Sequence, residues 1–510
     1  MSDPFAPLIA IAQRGIPFTA SDGQAFVRLN AASPEAFYIL PVRSRAYREW
    51  FFHEFFAQYN TLPGARPFHA VLNQLEAEAN HNDQLQHLAV WQRVGSRRCD
   101  PLPDQDDAAV SGPQPPAPGP RRQILLNLAN PECEFVEISS TGWKTTAGAG
   151  ALFQSSRSTV SLPAPDASSQ PGALESLRSC LNLPSRADWL RCLAWLLAAL
   201  RPDGPFPVLI LQGPPGSGKS FAARILRSVI DPCSSPLTPI PSSVRDLRTL
   251  ARQNWILAFD HISTLSPPLT DALCRLSSGL GATLRESSGP GAEPLQQYYK
   301  RPVLLAVTER WSCPADLARR ALTVTLPPLT PRTEASLLTV FDQAWPGILA
   351  ALCSAVGLAL SRMNHTASPS GRCPDALAWA MAASPALGCT EPEMLQAFAP
   401  AASHPMAEAV RNLIEQRRYF AGTATQLLEL LQPIVGCQSP NGLSRHLRSC
   451  TLTLADAGIE LKFKRLHEGA RFIELSGDPG DASCQKSPQD ASPNFDPPPQ
   501  PTETEPLTPS

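Results

Sequence analysis

The stretch that most constrains the fold is LILQGPPGSGKSFAARILRSVIDP, at residues 209–232. An apolar run typical of a buried strand leads into a glycine-rich loop, and a helical pattern follows the loop at once. The loop fits G-x-x-x-x-G-K-S, in which backbone N–H groups surround phosphate oxygens and the helix adds its positive N-terminal dipole. Because strand, loop and helix occur in the required order, the sequence predicts a phosphate-binding loop within an α/β fold.

Each part of this loop has a predicted role. Three glycines let the backbone turn its N–H groups inward, Lys219 is predicted to reach the β- and γ-phosphates of a nucleotide, and the Ser220 hydroxyl is predicted to ligate Mg²⁺. The expected cofactors are therefore ATP and Mg²⁺. The predicted nucleotide-binding residues are Gly213, Pro214, Pro215, Gly216, Ser217, Gly218, Lys219 and Ser220.

A second apolar run ends in a carboxylate. In NWILAFDH, Asp260 follows four mostly apolar residues and lies 41 positions after Lys219 (260 − 219). An aspartate at the carboxyl end of a neighbouring parallel strand is placed where a Mg²⁺ site needs an acid. The sequence predicts Asp260 as the second magnesium residue.

Composition excludes several classes of protein. The net charge of −2 excludes a globally basic nucleic-acid coat but leaves a local basic face open. The 13 cysteines include no C-x-x-C pair, which favours reduced thiols in a cytosol over disulfides or a zinc site. The N-terminus lacks a signal-peptide pattern, and residues 192–200 form the longest apolar stretch recognised, too short to span a bilayer. We expect a cytoplasmic protein without a membrane partner.

Several segments resemble the ATPase region of phage and mobile-element primase-helicases, which are similar to superfamily-three helicases within the AAA class. The resemblance covers about residues 175–360 and is carried by RILRSVIDP, SVRDL, FDHIS, LTDALCRLSSGLGATLRE, KRPVLL and PADLARRALTVTLPPL. It implies an ATP-dependent ring that opens duplex DNA. It also implies that RPVLLAVTE is a sensor strand and that Arg320, or Arg319 as second choice, is an arginine finger that acts on a neighbouring subunit.

Two positions depart from the pattern of this family. His261 follows Asp260 where many AAA motors have a glutamate that orients the attacking water, and Ala306 stands where relatives have a sensor asparagine. Thr308 lies on the same face of the strand as Ala306 and is a candidate substitute. The predicted catalytic residues are thus Lys219, Asp260, Thr308 and Arg320, and slow hydrolysis or binding without turnover stays open.

The predicted fold is an α/β P-loop NTPase (AAA-like) core with an N-terminal α+β domain and a C-terminal winged-helix-like domain. In the N-terminal domain, Tyr47, Phe51, Phe55 and Tyr59 recur every four residues, which favours a helix face in the core over a base-stacking surface. The predicted organisation is an N-terminal domain (1–160) with a disordered insertion (101–122), a linker (161–174), the ATPase domain (175–360), a helical connector (361–404), the winged-helix-like domain (405–476) and a disordered acidic, proline-rich tail (477–510).

Two regions are candidates for contact with DNA. Short runs on either side of a Gly-Pro-rich tip at 288–291 predict a β-hairpin of the kind that reaches into the channel of ring helicases. In residues 405–476, three helices precede two strands, and Leu443, Leu447 and Leu454 are predicted to face the core. The predicted nucleic-acid residues are Arg285, Lys300, Arg445, Arg448 and Lys464.

Three functions are compatible with these motifs. The first is a DNA-dependent ATPase, helicase-like, that acts on single-stranded or forked DNA as a homo-oligomeric ring, with replication proteins of the host or the element as candidate partners. The second is a nucleotide-gated DNA-binding switch that drives assembly with little or no hydrolysis, which His261 and Ala306 favour. A small-molecule kinase is the third, and it requires an acceptor pocket and has no use for a winged helix.

Overall fold

A computed structural model gives the structure of the chain. It describes residues 5–30, 37–82, 89–99, 121–148, 151–154, 156, 158–284, 295–309, 311, 313–329, 332–363, 369, 372–399, 405–435, 439–451, 454, 458–465 and 471–477. The hairpin tip at 288–291, the predicted insertion (101–122) except Arg121 and Arg122, and the predicted tail (477–510) except Gly477 lie outside the described residues. These three residues belong to strands, so both segments were predicted slightly too long.

The first unit packs three helices on a small sheet. Its strands are β1 (Gly15–Thr19), β2 (Ala25–Asn30) and β3 (Phe37–Pro41), antiparallel and in sequence order, and its helices are α1 (Ala6–Ala12), α2 (Arg45–Tyr59) and α3 (Ala65–His81). Ser44 caps α2 by accepting a hydrogen bond from the Tyr47 backbone N–H, and α2 ends at Asn60 in the left-handed conformation. Tyr47, Phe51 and Phe55 are buried, so their predicted role in the core is confirmed, but Tyr59 at the end of α2 is 36% exposed and the prediction was wrong for this residue.

A second sheet follows, and its apolar side chains share a hydrophobic core with the central unit of the protein. Strands β5 (Val94–Cys99), β6 (Arg121–Asn127), β7 (Glu134–Ser139) and β8 (Gly142–Ala147) form an antiparallel meander, while β4 (Val90–Trp91) pairs with β9 (Leu152–Phe153). The apolar side chains of this meander belong to the same hydrophobic cluster as those of the central sheet described next. The meander is therefore built into the central unit.

The central unit is a five-stranded parallel sheet in the order β11-β12-β15-β10-β16. Its strands are β10 (Val208–Gly213), β11 (Thr238–Pro239), β12 (Leu257–Ile262), β15 (Val303–Thr308) and β16 (Ala321–Thr325). Alternate residues of these strands enter two separate hydrophobic clusters, one on each face, because helices cover both faces. This double burial explains why the strands read as near-continuous apolar runs in the sequence.

Helices and one hairpin complete the central unit. The helices are α4 (Ala173–Cys180), α5 (Arg186–Ala199), α6 (Lys219–Ile230), α7 (Val244–Gln253), α8 (Pro267–Ser278), α9 (Ala315–Ala318), α10 (Glu334–Arg362), α11 (Pro374–Ala383) and α12 (Glu391–Phe398). Strands β13 (Leu280–Leu284) and β14 (Leu295–Tyr299) pair antiparallel. The predicted hairpin is therefore confirmed, although Arg285 at the end of its first arm lies outside the described residues.

Helix α10 corrects one expectation from the sequence. It is long and apolar enough to cross a membrane, and its apolar run exceeds the stretch 192–200, so the statement that 192–200 is the longest was wrong. In the structure, α10 packs against α4, α11 and the strands β7 and β8, and 61% of its most apolar window is buried. Its hydropathy is that of a core helix.

The C-terminal unit has its own core. It consists of α13 (Pro405–Arg417), β17 (Tyr419–Thr423), α14 (Ala424–Val435), α15 (Pro440–Ser449), β18 (Ile459–Arg465) and β19 (Arg471–Gly477), with the strands antiparallel in the order β17-β19-β18. Leu443, Leu447 and Leu454 are fully buried in this core, which confirms the predicted inner face.

Candidate functional site

The glycine-rich loop joins β10 to α6 at the carboxyl edge of the parallel sheet. Gly213 has no room for a side chain, since a Cβ there would lie 2.5 Å from the backbone oxygen of Leu326. Gly216 and Gly218 adopt left-handed conformations, with φ of 75° and 82°. Helix α6 has no side-chain cap at Gly218, so its first-turn N–H groups are free of such a partner and face the loop.

Lys219 folds back over the loop. Its Nζ donates hydrogen bonds to the backbone oxygens of Gly213 (2.8 Å) and Pro214 (2.7 Å) and contacts Ser217 Oγ at 3.3 Å. Partial burial lowers the pKa of Lys219, while the carboxylates of Asp260 and Glu309 act in the opposite direction. The structure thus brings one ammonium and two carboxylates together at this edge of the sheet.

Asp260 lies in an irregular part of β12. The pairing register between β12 and β15 shifts between Phe259 and Ile262, and His261 takes a positive φ of 56°. The Asp260 carboxylate accepts a hydrogen bond of 2.8 Å from the His261 backbone N–H, and only 12% of its side chain is exposed, against 91% for His261. The bulge therefore holds the carboxylate at the sheet edge, while the imidazole is mostly exposed with its Nε2 3.6 Å from the Asp260 carboxylate.

The end of β15 lies between these two elements. Thr308 pairs in register with Gly213 of the loop and is exposed, whereas Ala306 is fully buried in the core. The next residue, Glu309, is exposed, and its backbone oxygen accepts a hydrogen bond of 3.0 Å from the Gln212 side-chain amide. Sequence reasoning missed Glu309, because a glutamate one residue beyond a strand carries no pattern of its own.

Arg320 lies at the opposite edge of the sheet. Its backbone oxygen accepts a hydrogen bond of 2.8 Å from the N–H of Val208, the first residue of β10, and its guanidinium donates to the backbone oxygen of Asp316 at 2.8 Å. The six residues of β10 rise about 3.3 Å each, so the two edges are roughly 20 Å apart. The structure does not bring Arg320 to the loop of its own chain.

A cavity of about 360 Å³ adjoins the loop. The Asn182 side-chain amide fixes one wall by donating to the backbone oxygens of Ser217 (3.2 Å) and Pro327 (2.7 Å). No motif in the sequence pointed to this cavity, since it joins segments far apart in the chain. Its lining residues are Glu175, Arg178, Ser179, Cys180, Leu181, Asn182, Leu183, Leu329, Arg332 and Leu337.

Lys300 lies just after the hairpin, at its base, and lines a cleft beside it. Its neighbour Arg301 forms hydrogen bonds within the protein. The Arg301 guanidinium donates to the backbone oxygens of Ala251, Asn254 and Lys300. Burial lowers the pKa of Arg301 to about 10, which leaves it protonated at neutral pH.

In the C-terminal unit, Arg448 on α15 is exposed and its guanidinium lies 4.7 Å from the centre of the Phe463 ring. Lys464 pairs with Glu474 at 2.5 Å, and Lys462 pairs with Glu460 at 2.8 Å. Lys464, which was predicted to contact nucleic acid, and its neighbour Lys462 are therefore both matched by carboxylates. The side chain of Arg445, also on α15, lies outside the described residues.

Two family models match the chain. Residues 174–371 match the actinomycete integrative conjugative element replication protein family, and residues 406–492 match the family described as the AICE RepA C-terminal domain. These matches confirm the mobile-element and replication parts of the resemblance seen in the sequence. No curated protein matches the chain.

Solved structures of the NrS-1 C-terminal region are also similar to the chain. One apo structure has a TM-score of 0.36 and 9% identity, and covers 93% of this chain and 100% of its own. A second, of residues 305–718, has a TM-score of 0.36 and 10% identity, with coverage of 94% and 100%. At these TM-scores the likeness supports no inference about function. The two family matches show that residues 174–371 and 406–492 are similar to the replication proteins of actinomycete integrative conjugative elements.

Proposed function

We propose that the chain is an ATP-hydrolysing, DNA-dependent motor of the helicase type that acts in replication of an integrative mobile element. The observation that carries this proposal is the convergence of Lys219, Asp260 and Thr308 at the carboxyl ends of three adjacent strands. Since β15 lies between β10 and β12, its terminal Thr308 occupies the place that a sensor of the γ-phosphate requires.

In this proposal, the loop binds the phosphates of the nucleotide and the neighbouring cavity binds its base. The loop N–H groups and Lys219 would hold the phosphates, exchanging the backbone oxygens that Lys219 now contacts for phosphate oxygens. The cavity lined by Leu181, Asn182 and Leu329 would receive the base, since its leucines offer apolar surface to a ring and its polar groups, Asn182 among them, offer hydrogen-bond partners. This division explains why the cavity adjoins Gly218 at the start of α6.

The residues present suit Mg²⁺. Among the described residues, no three His, Cys, Asp or Glu side chains cluster as a site built by protein alone. Mg²⁺ in nucleotide sites needs only one or two protein oxygens beside phosphate and water, and Ser220 and Asp260 supply a hydroxyl and a carboxylate. When bound, Mg²⁺ would neutralise charge on the phosphates.

The group that orients the attacking water is proposed to be Glu309. His261 is 91% exposed and lies 3.6 Å from Asp260, whereas Glu309 directly follows Thr308 at the end of β15 and its carboxylate raises the pKa of Lys219. A carboxylate at this place could accept a proton from water while Lys219 and Thr308 contact the phosphates.

Glu309→Gln should therefore lower ATP turnover by about 100-fold, because general-base contributions are of that order or larger. ATP affinity should change little, since the amide keeps the size of the side chain. The measurement is kcat beside the Kd of a fluorescent ATP analogue. His261→Ala is the comparison variant and should leave kcat within a factor of about three of wild type, since the imidazole is 91% exposed and its Nε2 lies 3.6 Å from the Asp260 carboxylate, beyond hydrogen-bond distance. A large loss in His261→Ala and none in Glu309→Gln would reverse the assignment.

The contact with DNA is proposed from the family matches and from the exposed cations. Lys300 lies beside the hairpin, and Arg448 is held against an aromatic ring on the surface of the C-terminal unit. The order of helices and strands in that unit, three helices with a three-stranded sheet, supports a winged-helix interpretation in which α15 enters a groove. Arg448 would then approach phosphates together with the Phe463 ring.

The test of the proposal is steady-state ATP hydrolysis by the full chain with and without single-stranded DNA, followed by strand separation on a forked duplex. The motor predicts DNA-stimulated turnover and ATP-dependent separation. Tight ATP binding with DNA-bound oligomers but no turnover would instead support the nucleotide-gated switch. The specific observations that favour the switch are the mostly exposed His261 and the buried, apolar Ala306.

A cross-subunit role of Arg320 follows from its distance to the loop of its own chain. Arg320→Ala should lower turnover strongly when assayed alone, because a planar cation would no longer stabilise charge on the transferred phosphoryl group. Mixing it with Lys219→Ala should restore measurable hydrolysis, since intact loops in one variant would then meet intact arginines in the other. A mixture as inactive as its components would contradict a role across subunits.

A further inference from the structure

A basic groove runs between α2 and α3 of the N-terminal unit. It encloses about 560 Å³, and its floor includes the aromatic rings of Phe52 and Phe68, which meet edge to face with 5.0 Å between their centres. Of the described residues that line it, Arg43, Arg45 and Arg48 are basic and none is acidic. The groove therefore combines an apolar floor with a cationic rim.

The groove continues into a larger cleft. A space of about 910 Å³ shares Arg43 and Ser44 with the groove and reaches Tyr299 and Lys300 at the base of the β13–β14 hairpin. Arg252, near the end of α7, lines the same cleft. The two cavities are thus neighbours that have Arg43 and Ser44 in common, one beside the hairpin of the central unit and the other between the outer helices of the N-terminal unit.

The charges along the groove favour an anionic occupant. Arg43 pairs with Glu76 at 2.6 Å and Arg45 with Glu49 at 2.9 Å, but both arginines stay exposed, and such surface pairs exchange readily for phosphate. The guanidinium of Arg48 lies 5.0 Å from the centre of the Phe52 ring. Of the two acidic residues in the larger cleft, Asp203 is paired with Arg122.

Aromatic rings beside arginines suit an unpaired nucleic-acid strand better than a duplex. Unpaired bases stack on aromatic and guanidinium planes while the backbone follows a basic groove, whereas a duplex offers only its phosphates to a narrow site. The half-buried Phe52, with Arg48 over its face, is an arrangement on which one base could stack.

We propose that the N-terminal unit binds a single DNA strand in the α2–α3 groove, and that this strand runs through the cleft to the hairpin base. The inference rests on the proposed function, in which the chain acts on DNA, and gives the N-terminal unit the role of holding the strand that the central unit moves. The buried aromatic residues of α2 form the core beneath this surface and are not part of it.

The test compares wild type with the double variant Arg45→Gln, Arg48→Gln. Binding of a fluorescein-labelled 30-nucleotide oligothymidylate to the full chain is followed by anisotropy at several salt concentrations. Affinity should fall about ten-fold at low salt, and the slope of log affinity against log salt should become shallower by about 1.4, since each lost phosphate contact accounts for about 0.7. Hydrolysis without DNA should be unchanged, because neither arginine lies near the loop.

Arg14→Gln is the matched control. Arg14 is an exposed arginine of the same unit that pairs with Glu54 and lies outside the residues that line the groove. It should leave both affinity and salt slope at wild-type values, and thermal melts should show that all three proteins are folded. An oligonucleotide with 5-iodouracil should crosslink to peptides of α2 in wild type and lose that crosslink in the double variant.

The outcomes separate this inference from the proposed function. If wild type binds DNA but the double variant matches it in affinity, slope and crosslinks, the groove inference is overturned and the motor proposal is untouched. If wild type does not bind DNA, both the groove inference and the motor proposal are overturned.

A third arm tests the acidic segment 478–510, which has six Asp or Glu residues and one Lys, as the occupant. Changing these acids to amides in the full chain should leave DNA affinity unchanged. Tighter binding that requires Arg45 and Arg48 would show that this segment competes with DNA for the groove and would support the inference, whereas tighter binding that is kept in the double variant would place the DNA contact elsewhere and overturn it.

Discussion

Lys219→Ala should reduce ATP hydrolysis by about 1,000-fold, into the assay background, with and without single-stranded DNA. The ammonium already lies within the loop, 2.7–2.8 Å from two backbone oxygens, so it needs only to exchange these partners to reach phosphate. Without it, charge developing on the β- and γ-phosphate oxygens loses its nearest fixed cation. The measurement is steady-state phosphate release over a range of ATP concentrations, beside the Kd of a fluorescent ATP analogue.

Lys144→Ala provides the control for this experiment. Lys144 is an exposed lysine on β8 that pairs with Glu137 and is far from the loop, so its removal should leave turnover within a factor of about two. Turnover that persists in Lys219→Ala would mean that the loop does not bind the hydrolysed nucleotide. Loss of DNA stimulation alone, with basal turnover intact, would equally contradict the role given to Lys219.

Asp231→Ala should lower the free energy of unfolding by roughly 3–5 kcal/mol, the cost of leaving buried charges without their partner. Asp231 follows α6 and is 6% exposed, and it accepts a hydrogen bond of 3.1 Å from Arg93, which is 1% exposed. It also lies 3.8 Å from Arg227 and accepts the backbone N–H of Ile256 at 3.0 Å. Alanine would leave two guanidinium groups and one N–H buried without this acceptor. Denaturant unfolding followed by fluorescence and circular dichroism checks the value.

Asp271→Ala is the control for this second variant. Asp271 pairs with Arg275 on the surface of α8, with more than half of each side chain exposed, so its loss should cost less than about 1 kcal/mol. Asp231→Asn should fall between the two, since the amide oxygen can still accept a hydrogen bond from Ile256. Equal stability of Asp231→Ala and wild type would show that Arg93 and Arg227 find other partners.

The elements that follow local rules could be predicted from the sequence. The strand, loop and helix around Lys219 obey a spacing that backbone geometry imposes, and Asp260 and Thr308 end apolar runs long enough for buried strands. The inner face of α15 and the core role of Tyr47 and Phe51 follow from helical periodicity. In each case, neighbouring residues in the chain carry the whole signal.

The features that depend on distant segments could not be predicted in this way. Arg93 meets Asp231 across 138 positions, and Asn182 reaches Pro327 across 145. The pairing of Lys464 with Glu474 becomes visible only when the register between β18 and β19 is known. The same register shows that the charge of Lys464, predicted to contact nucleic acid, is offset by a neighbouring carboxylate.

The packing of α10 against the four-stranded meander has a consequence for synthesis of the chain. Trp143 on β8 donates a hydrogen bond to Ser354 on α10 across 211 positions, so the meander leaves the ribosome long before the helix that covers it. At about 5–20 residues per second, this delay is on the order of 10–40 s. During that time the apolar face of β7 is open to chaperones or to a neighbouring nascent chain. The meander therefore cannot bury this face against α10 until synthesis has reached that helix.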